Sequence, residues 1–189
     1  MPQESGGPKW ALILGASSGF GAATGIELAK LGFNILGIHL DRKNTLPLVE
    51  KVKSDIQAFG REAYFINTNA SDEEGRTKLL DEFEAHVGQA KKQGSIKLLL
   101  HSLAFGTLKP FIADDPKDAI TKAQMDMTLD VMGNSLGYWV QDLVRRKLMG
   151  KGSCVFAMTS AGSQRVWKTY GAVSAAKYSL ESHIRQLSL

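Results

Sequence analysis

The stretch from Trp10 to Gly32 constrains the fold of this chain more than any other part of it. Its apolar beginning, 10–14, predicts a short buried strand, and 22–31 has helical spacing, with Ala22, Ile26 and Ala29 on one face. Three glycines lie between the strand and the helix: Gly15, Gly19 and Gly21. Glycine permits a tight turn and a close backbone approach, and a helix N-terminus attracts anions. The stretch therefore predicts a pyrophosphate-binding turn, with an ordinary strand–helix turn as the alternative.

Strand-like and helical segments alternate along the rest of the chain. Further strands are predicted at 34–39, 62–66, 96–100 and 152–158, and helices at 45–59, from 71 to about 92, over much of 119–149, and at 170–189. In the helix 45–59, Leu48, Val52 and Ile56 are expected to face the core. This alternation predicts an α/β fold with a doubly wound parallel sheet, a three-layer αβα Rossmann fold. Residues 1–9 are expected to form a flexible arm and 10–189 one dinucleotide-binding domain.

Composition excludes several classes of function. The 189 residues carry a net charge of +4, with 43% hydrophobic and 22% charged residues, as in a globular protein. The basic residues Lys91–Lys92 and Arg145–Lys147 are expected on solvated helix faces, so neither nucleic acid nor a membrane is expected as a partner. Cys154 has no disulfide partner and lies in an apolar run, which predicts a buried thiol. We expect a cytoplasmic protein without a metal site.

The end of the second strand favours one form of the dinucleotide. An acidic side chain at this point binds the ribose 2′-hydroxyl of NAD, whereas a basic one accommodates the 2′-phosphate of NADP. His39 ends the strand, Asp41 follows, and the adjacent cations Arg42 and Lys43 come next. The two cations favour NADPH, and Asp41 keeps NADH possible. Both cations could also be solvated loop charges.

The next two strands end in segments that could also contact a cofactor. Asn69-Ala70 follows the third strand, where an adenine would lie, and H-S-L-A-F-G (101–106) follows the fourth. The carboxyl ends of parallel strands flank the binding crevice in this architecture. As isolated sequences they could equally be plain turns, and His101 is more often a buried structural histidine than a catalyst.

A last group consists of Ser160, Tyr170 and Lys177. Tyr170 and Lys177 are seven residues apart, so they lie two turns apart on the same helix face. A lysine beside a tyrosine hydroxyl can lower the pKa of the phenol and bind a ribose hydroxyl. The spacing alone is also compatible with a purely structural pair.

With these motifs together, the chain from Trp10 to Leu189 resembles the short-chain dehydrogenase/reductase family, and within it the enoyl-acyl-carrier-protein reductases. The glycine turn matches the family's cofactor turn, with Leu14 where threonine is common. H-S-L-A-F is similar to the enoyl reductases' version of N-N-A-G, with Ala104 in the glycine position. Most members carry Y-x-x-x-K, but here Val173 stands four residues before Lys177, and Y-x6-K, the enoyl reductase spacing, fits instead.

The resemblance implies an NADPH-dependent reduction of the 2,3 double bond of an enoyl thioester. It assigns the catalytic roles to Tyr170, Lys177, Ser160 and Asn134. Tyr170 would stabilise the enolate, Lys177 would hold the nicotinamide ribose, and Asn134 would hold a water. Cofactor contacts are expected from residues that follow the strands and from one helix residue: Gly15, Ser17, Ser18, Gly19, Phe20, Gly21, His39, Arg42, Lys43, Asn69, Ala70, Ser102, Leu103, Ala104 and Lys177. Asn69 stands where the family has an aspartate.

Two other functions stay open at this point. The first is another short-chain reductase, acting on a ketone or a dienoyl thioester, and the second is a dinucleotide-binding protein without catalysis. The substrate is expected to be a free or carrier-bound acyl thioester, and the family's habit implies a homo-oligomer, a tetramer or dimer. Since the family continues into further strands and a substrate loop, the fold is expected to be truncated at its C-terminal end.

Overall fold

The computed structural model describes residues 8–88 and 93–189. Its strands are β1 (Trp10–Leu14), β2 (Asn34–His39), β3 (Ala63–Asn67), β4 (Ile96–His101) and β5 (Cys154–Ala157). Its α-helices are α1 (Gly19–Lys30), α2 (Leu46–Gln57), α3 (Glu73–Val87), α4 (Lys122–Leu129), α5 (Ser135–Arg145) and α6 (Gly171–Leu187). A π-helical turn (Asp130–Asn134) joins α4 to α5, and short 3₁₀ turns lie at Pro116–Asp118 and Ala161–Ser163.

The five strands form one parallel sheet flanked by helices, in the order β3-β2-β1-β4-β5. β1 pairs in parallel with β2, Trp10 beside Asn34, and with β4, Leu14 beside His101. The chain moves outward from β1 to β3 and then returns to the other side of β1, so the strand order reverses between β1 and β4. Such a reversal is where doubly wound sheets bind their ligands. The predicted fold class is confirmed.

The core is centred on β1, all five residues of which are buried. Trp10 is packed edge to face against Phe83 of α3 at 5.1 Å between ring centroids. A central strand covered on both faces must be apolar throughout, as the run W-A-L-I-L is. Gly37 of β2 makes room for Phe65, because a Cβ there would lie 2.7 Å from the phenyl ring.

Most segment ends lie within two residues of their predicted positions, but three predicted helices differ more. The helix predicted over much of 119–149 is divided into α4, the π-helical turn and α5. α1 begins at Gly19, inside the glycine turn, three residues before the predicted start. The third helix is capped by Asp72, whose carboxylate accepts a hydrogen bond from the Gly75 amide at 2.6 Å, and it ends at Val87. The predicted end near residue 92, together with Lys91–Lys92, falls outside the described residues.

The helix α2 buries a different residue from the one predicted. Val52 and Ile56 are buried as expected, but Leu48 is 58% exposed and Val49 takes its place in the core. Val49, Val52 and Ile56 follow the i, i+3, i+7 spacing of one helix face, and Leu48, one position before Val49, lies at the exposed edge of that face.

Two further predictions about burial are wrong. Cys154 is exposed, because β5 presents the alternate side chains Cys154 and Phe156 on a face that no described element covers. Arg146 does not point freely into solvent: its Nη1 lies 2.6 Å from Asp81 Oδ1 and 3.1 Å from Glu84 Oε1. The ion pairs with these two carboxylates of α3 hold the Arg146 side chain against the protein surface, so only 22% of it is exposed.

Among the described residues, no helix combines the length and the hydropathy needed to span a membrane.

Candidate functional site

The predicted site residues lie in two compact units, which we describe separately. The first unit comprises 1–102 and 141–156, and the second comprises 103–140 and 157–189. The first unit holds most of the predicted cofactor contacts: Gly15, Ser17, Ser18, Gly19, Phe20, Gly21, His39, Arg42, Lys43, Asn69, Ala70 and Ser102. The second unit holds the remaining residues: Leu103, Ala104, Asn134, Ser160, Tyr170 and Lys177.

The glycine turn has the backbone that its sequence requires. Gly15 and Gly19 have positive φ angles of 88° and 54°, which favour glycine. A Cβ on Gly21 would lie 2.0 Å from the Gly15 carbonyl oxygen, so only glycine lets α1 start against the turn. Ser18 caps α1 without a side-chain hydrogen bond to the helix, and Phe20 is 72% exposed. The turn therefore leaves an accessible helix N-terminus, a shape that fits a dinucleotide pyrophosphate.

Beyond β2, a small network engages the Asp41 carboxylate. Its Oδ2 lies 2.9 Å from Nδ1 of His39, which is 6% exposed. Burial raises the pKa of Asp41, but hydrogen bonds from Ser17, Thr45 and His39 outweigh this effect, and the net pKa is lowered. Asp41 is thus held as a carboxylate by neighbouring side chains of the protein.

The cations after Asp41 have a different environment. The side chains of Arg42 and Lys43 are exposed. The loop that carries them is fixed from both sides, because the Asn67 amide group bonds the Asp41 backbone N–H and carbonyl at 3.0 and 2.9 Å. Two cations consequently stand on an ordered loop beside the carboxyl end of β2.

The segments after β3 and β4 are ordered by local hydrogen bonds. The Asn69 Oδ1 accepts from the amide and hydroxyl of Ser71 at 3.1 and 3.0 Å, which turns the chain towards α3. The Ser102 amide donates to the Leu14 carbonyl at 2.9 Å and so continues the β4–β1 pairing past the end of β4. His101 is completely buried. The Asn69 oxygen is therefore engaged in a turn rather than directed outward.

In the second unit, Tyr170 and Ser160 are in direct contact. The Tyr170 hydroxyl donates to Ser160 Oγ at 3.1 Å, and the same oxygen accepts from the Gly162 amide at 3.1 Å. Tyr170 is the residue that caps α6, whereas Ser160 precedes a 3₁₀ turn. The two hydroxyls therefore form an ordered hydrogen-bonded pair.

Lys177 lies two turns into α6 and is buried. Its Nζ donates to the backbone carbonyls of Met158 at 2.7 Å and Leu103 at 3.2 Å. Burial lowers the pKa of this ammonium to about 8 from an ordinary 10.5. An ammonium has three N–H bonds, so one remains uncommitted to a hydrogen bond among the described residues.

The loop that carries Ser160 is tied to α6 by Glu181. The carboxylate of Glu181 accepts from Thr159 Oγ1 at 2.5 Å and from Ser163 Oγ at 2.7 Å. These two hydrogen bonds lower the pKa of Glu181. Since Thr159 and Ser163 lie on either side of Ser160, Glu181 fixes the serine loop to α6, the helix that Tyr170 caps.

Asn134 occupies the last position of the π-helical turn. Its Oδ1 lies 3.3 Å from His183 Nε2 and 3.5 Å from Ser179 Oγ, both on α6. The sequence predicts one long helix here, and the π turn that interrupts it was not predicted. Such turns insert one extra residue into a helix and occur often at functional sites.

Two features of the second unit were missed at the sequence level. A cavity of about 750 Å³ lies beside Tyr170, and its walls include the aromatic residues Phe111, Trp167 and Tyr178. Gly162 packs against Tyr170, since a Cβ there would lie 2.2 Å from the phenol ring. The signals were weak: aromatic residues scattered over a loop and a helix, and a glycine two residues after Ser160.

Comparison with known proteins gives the family. Residues 15–189 match the family model described as "Enoyl-(Acyl carrier protein) reductase". The chain therefore belongs to the enoyl-acyl-carrier-protein reductase group of the short-chain dehydrogenases/reductases, a family of NAD(P)H-dependent oxidoreductases. The resemblance inferred from the glycine turn and the Y-x6-K spacing is confirmed.

Individual relatives are more distant. A 1-cyclohexenylcarbonyl-CoA reductase from Streptomyces collinus is 25% identical over 178 residues, which cover 94% of this chain and 58% of that protein. An NADH-dependent enoyl-acyl-carrier-protein reductase from Xylella fastidiosa is 26% identical, covering 97% of this chain and 55% of the relative. The chain thus spans little more than half the length of these curated relatives.

Solved structures agree on the fold. A short-chain dehydrogenase/reductase from Serratia marcescens superposes with a TM-score of 0.78 at 19% identity, covering 95% of this chain and 67% of the other. A carveol dehydrogenase from Mycobacterium avium in complex with NAD gives a TM-score of 0.76 at 19% identity, covering 94% and 64%.

Proposed function

We propose that the protein reduces the 2,3 double bond of an enoyl thioester with a nicotinamide dinucleotide. The observation that carries the proposal is the hydrogen-bonded pair of Tyr170 and Ser160, 3.1 Å apart, with Lys177 on the same helix as the tyrosine. Residue 173, where an ordinary ketoreductase has its tyrosine, is a buried valine. We therefore assign the catalytic phenol to Tyr170, which contacts Ser160. The two relatives above are named as reductases of acyl thioesters, which supports the same substrate class.

The residues of the second unit supply the electrostatic part of this reaction. When bound, NAD(P)H supplies the hydride that the substrate receives at its β-carbon. Negative charge then develops on the thioester oxygen, and the Tyr170 hydroxyl turns its single hydrogen from Ser160 Oγ to that oxygen. The Ser160 hydroxyl then donates its own hydrogen to the phenol oxygen. Ser160 orients that hydroxyl, and the buried ammonium of Lys177 keeps the local potential positive and binds a ribose hydroxyl with its uncommitted N–H. Asn134 holds a water for proton delivery.

The cavity beside Tyr170 is suited to the acyl group. Its wall includes the aromatic side chains of Phe111, Trp167 and Tyr178, and its volume of about 750 Å³ is in the range of small-molecule sites. We assign it to the acyl chain of the substrate, free or attached to a carrier.

The decisive test measures NAD(P)H oxidation with a crotonyl thioester and, in parallel, with a 3-keto thioester. Tyr170→Phe removes one oxyanion donor and keeps the ring, so turnover of the crotonyl thioester is expected to fall about a hundredfold or more. Cofactor affinity should not change. Tyr138→Phe, on α5, is the matched control and should retain full activity.

Other outcomes would lead to other functions. Reduction of the keto substrate alone, unaffected by Tyr170→Phe, would refute the enoyl reductase and favour a ketoreductase. Stoichiometric cofactor binding without turnover of either thioester would favour a dinucleotide-binding protein without catalysis. Ser160→Ala should cost less than Tyr170→Phe, because the serine acts on the substrate mainly through the tyrosine.

We further propose a preference for NADPH. Asp41 is engaged by His39, and the exposed cations Arg42 and Lys43 follow it on an ordered loop. Charge-assisted contacts to a 2′-phosphate contribute about 1.5–3 kcal/mol each. Arg42→Ala should therefore weaken NADPH binding about tenfold or more while NADH binding is unchanged. Arg61→Ala, which removes a charge at the opposite end of β3, is the control. Equal affinities of the native protein for NADPH and NADH would refute this preference. The preference differs from the cofactor in the name of the Xylella fastidiosa relative, which is NADH.

The assembly and location of the protein are also proposals. We propose a cytoplasmic homo-oligomer, a dimer or tetramer, that acts in fatty acid biosynthesis. The single cysteine of the sequence can form no disulfide within the chain, which favours a reducing compartment. Exposed apolar side chains such as Val166, at 99% exposure, favour self-association. Light scattering of the purified protein tests the assembly, and a monomeric mass at micromolar concentration would contradict it.

A further inference from the structure

His183 is a half-buried titratable residue that the proposed mechanism does not use. It lies on α6, and its Nε2 is 3.1 Å from Ser179 Oγ and 3.3 Å from Asn134 Oδ1. The serine hydroxyl lies 3.5 Å from the same asparagine oxygen, at the outer limit of a hydrogen bond. Three polar side chains thus meet at one point between α6 and the π-helical turn.

The chemistry of the asparagine oxygen fixes the protons of the other two groups. A carboxamide oxygen only accepts hydrogen bonds, so the groups that face it must donate. Ser179 donates its hydroxyl hydrogen, and His183 donates from Nε2. The contact with Asn134 favours the neutral tautomer that carries its hydrogen on Nε2, because the Nδ1–H tautomer would place a ring lone pair against the Asn134 oxygen at 3.3 Å. The 3.1 Å contact with Ser179 Oγ fits either tautomer, since a hydroxyl both donates and accepts.

The backbone brings Asn134 onto α6 at close range. A Cβ on Gly133 would lie 3.0 Å from the Ala176 carbonyl and 3.4 Å from the Ser179 Cβ, so the π-helical turn packs directly on the helix. Ala176 precedes Lys177 in the chain. Because a π turn is less favourable than a regular α-helix, tertiary contacts are needed to hold it. The hydrogen bonds from Ser179 and His183 supply such contacts.

We propose that His183, assisted by Ser179, is a positioning residue that holds the Asn134 carboxamide. It thereby keeps the π-helical turn at a fixed position relative to Lys177. This inference rests on the proposed function, in which Asn134 and Lys177 take part. His183 also lines the cavity assigned to the acyl chain, but it lies away from the reacting atoms in this proposal and acts on turnover through Asn134.

The activity test compares two substitutions of His183. His183→Gln keeps an N–H donor near the position of Nε2, whereas His183→Leu keeps the bulk and removes the donor. We expect His183→Leu to lower kcat for the crotonyl thioester about tenfold with KM nearly unchanged, because small displacements of catalytic groups are costly. His183→Gln should restore kcat to within about threefold of the native protein. Equal loss in both variants, or none in His183→Leu, would overturn the proposal.

A spectroscopic test decides the contact without reference to turnover. The ¹⁵N chemical shifts of the neutral His183 imidazole distinguish the two tautomers, and the signals are assigned by their loss in His183→Gln. We expect the Nε2–H form in the native protein and a mixture in Asn134→Ala. The Nδ1–H form in the native protein would refute the geometry. If turnover proves insensitive to Tyr170→Phe, the proposed function fails, and the spectrum alone decides whether His183 holds Asn134.

Discussion

Gly162→Ala is the sharpest test of whether the position of Tyr170 matters. Gly162 is buried beneath the phenol ring, where a new Cβ would lie 2.2 Å from Tyr170 Cε1, 2.5 Å from Cδ1 and 3.1 Å from Trp167 Cζ3. Ordinary Cβ contacts begin at 3.4 Å, so the tyrosine ring must move by roughly 1.2 Å to accommodate the methyl group. That displacement is large enough to break the 3.1 Å hydrogen bond to Ser160.

A misplacement of about 1 Å can reduce turnover about a hundredfold, and overpacking of this kind costs about 1–3 kcal/mol of stability. We therefore expect Gly162→Ala to reduce crotonyl-thioester turnover about as much as Tyr170→Phe does. The displacement can be detected separately, because Trp167 is 47% exposed whereas Trp10 and Trp139 are buried, so acrylamide quenching reports mainly on Trp167.

The matched control is Gly137→Ala on α5, where a Cβ would meet nothing within 4 Å. It should retain full activity and gain about 0.5–1 kcal/mol of stability. Native turnover and native quenching in Gly162→Ala would refute the contact and the argument built on it.

Three further predictions concern other parts of the molecule. Burial lowers the pKa of Lys177 to about 8, so its ammonium is present below that pH and is lost above it. We therefore expect kcat to fall as the pH rises through 8. A kcat that stays constant to about pH 10, the range of an ordinary lysine, would contradict this. Val49→Ala should cost about 1.5 kcal/mol of unfolding free energy, whereas the exposed neighbour Leu48→Ala should cost less than about 0.5, measured by urea denaturation. Arg146→Ala should cost about 1 kcal/mol, and less in high salt, since its ion pairs are partly exposed.

The sequence was sufficient for the order and type of the major elements. Strands such as Trp10–Leu14 and Asn34–His39 lie where the apolar runs predict them, because a strand buried in a parallel sheet cannot tolerate polar residues. Glycine was equally informative at Gly21, where no other residue fits against the Gly15 carbonyl. Steric limits at a single residue and the complete burial of a strand can both be recognised in the sequence, because each depends on local residue types.

The resemblance of Y-x6-K to the enoyl reductases also came from the sequence, and it named the family correctly. The helical period put Tyr170 and Lys177 on one face of a single helix, and in the structure Lys177 lies two turns into the helix that Tyr170 caps. Their catalytic roles remain predictions, as do those of the cofactor-binding residues.

Tertiary structure alone decided what lies between elements distant in the chain. The exposure of Cys154, the ion pairs of Arg146 and the replacement of Leu48 by Val49 in the core all depend on neighbours that local pattern does not specify. The contact of His183 with Asn134 joins residues 49 positions apart across a π-helical turn. Periodicity predicts which face a residue occupies, but only packing determines which partner meets it there, because the energy of burial depends on area and not on the identity of the neighbour.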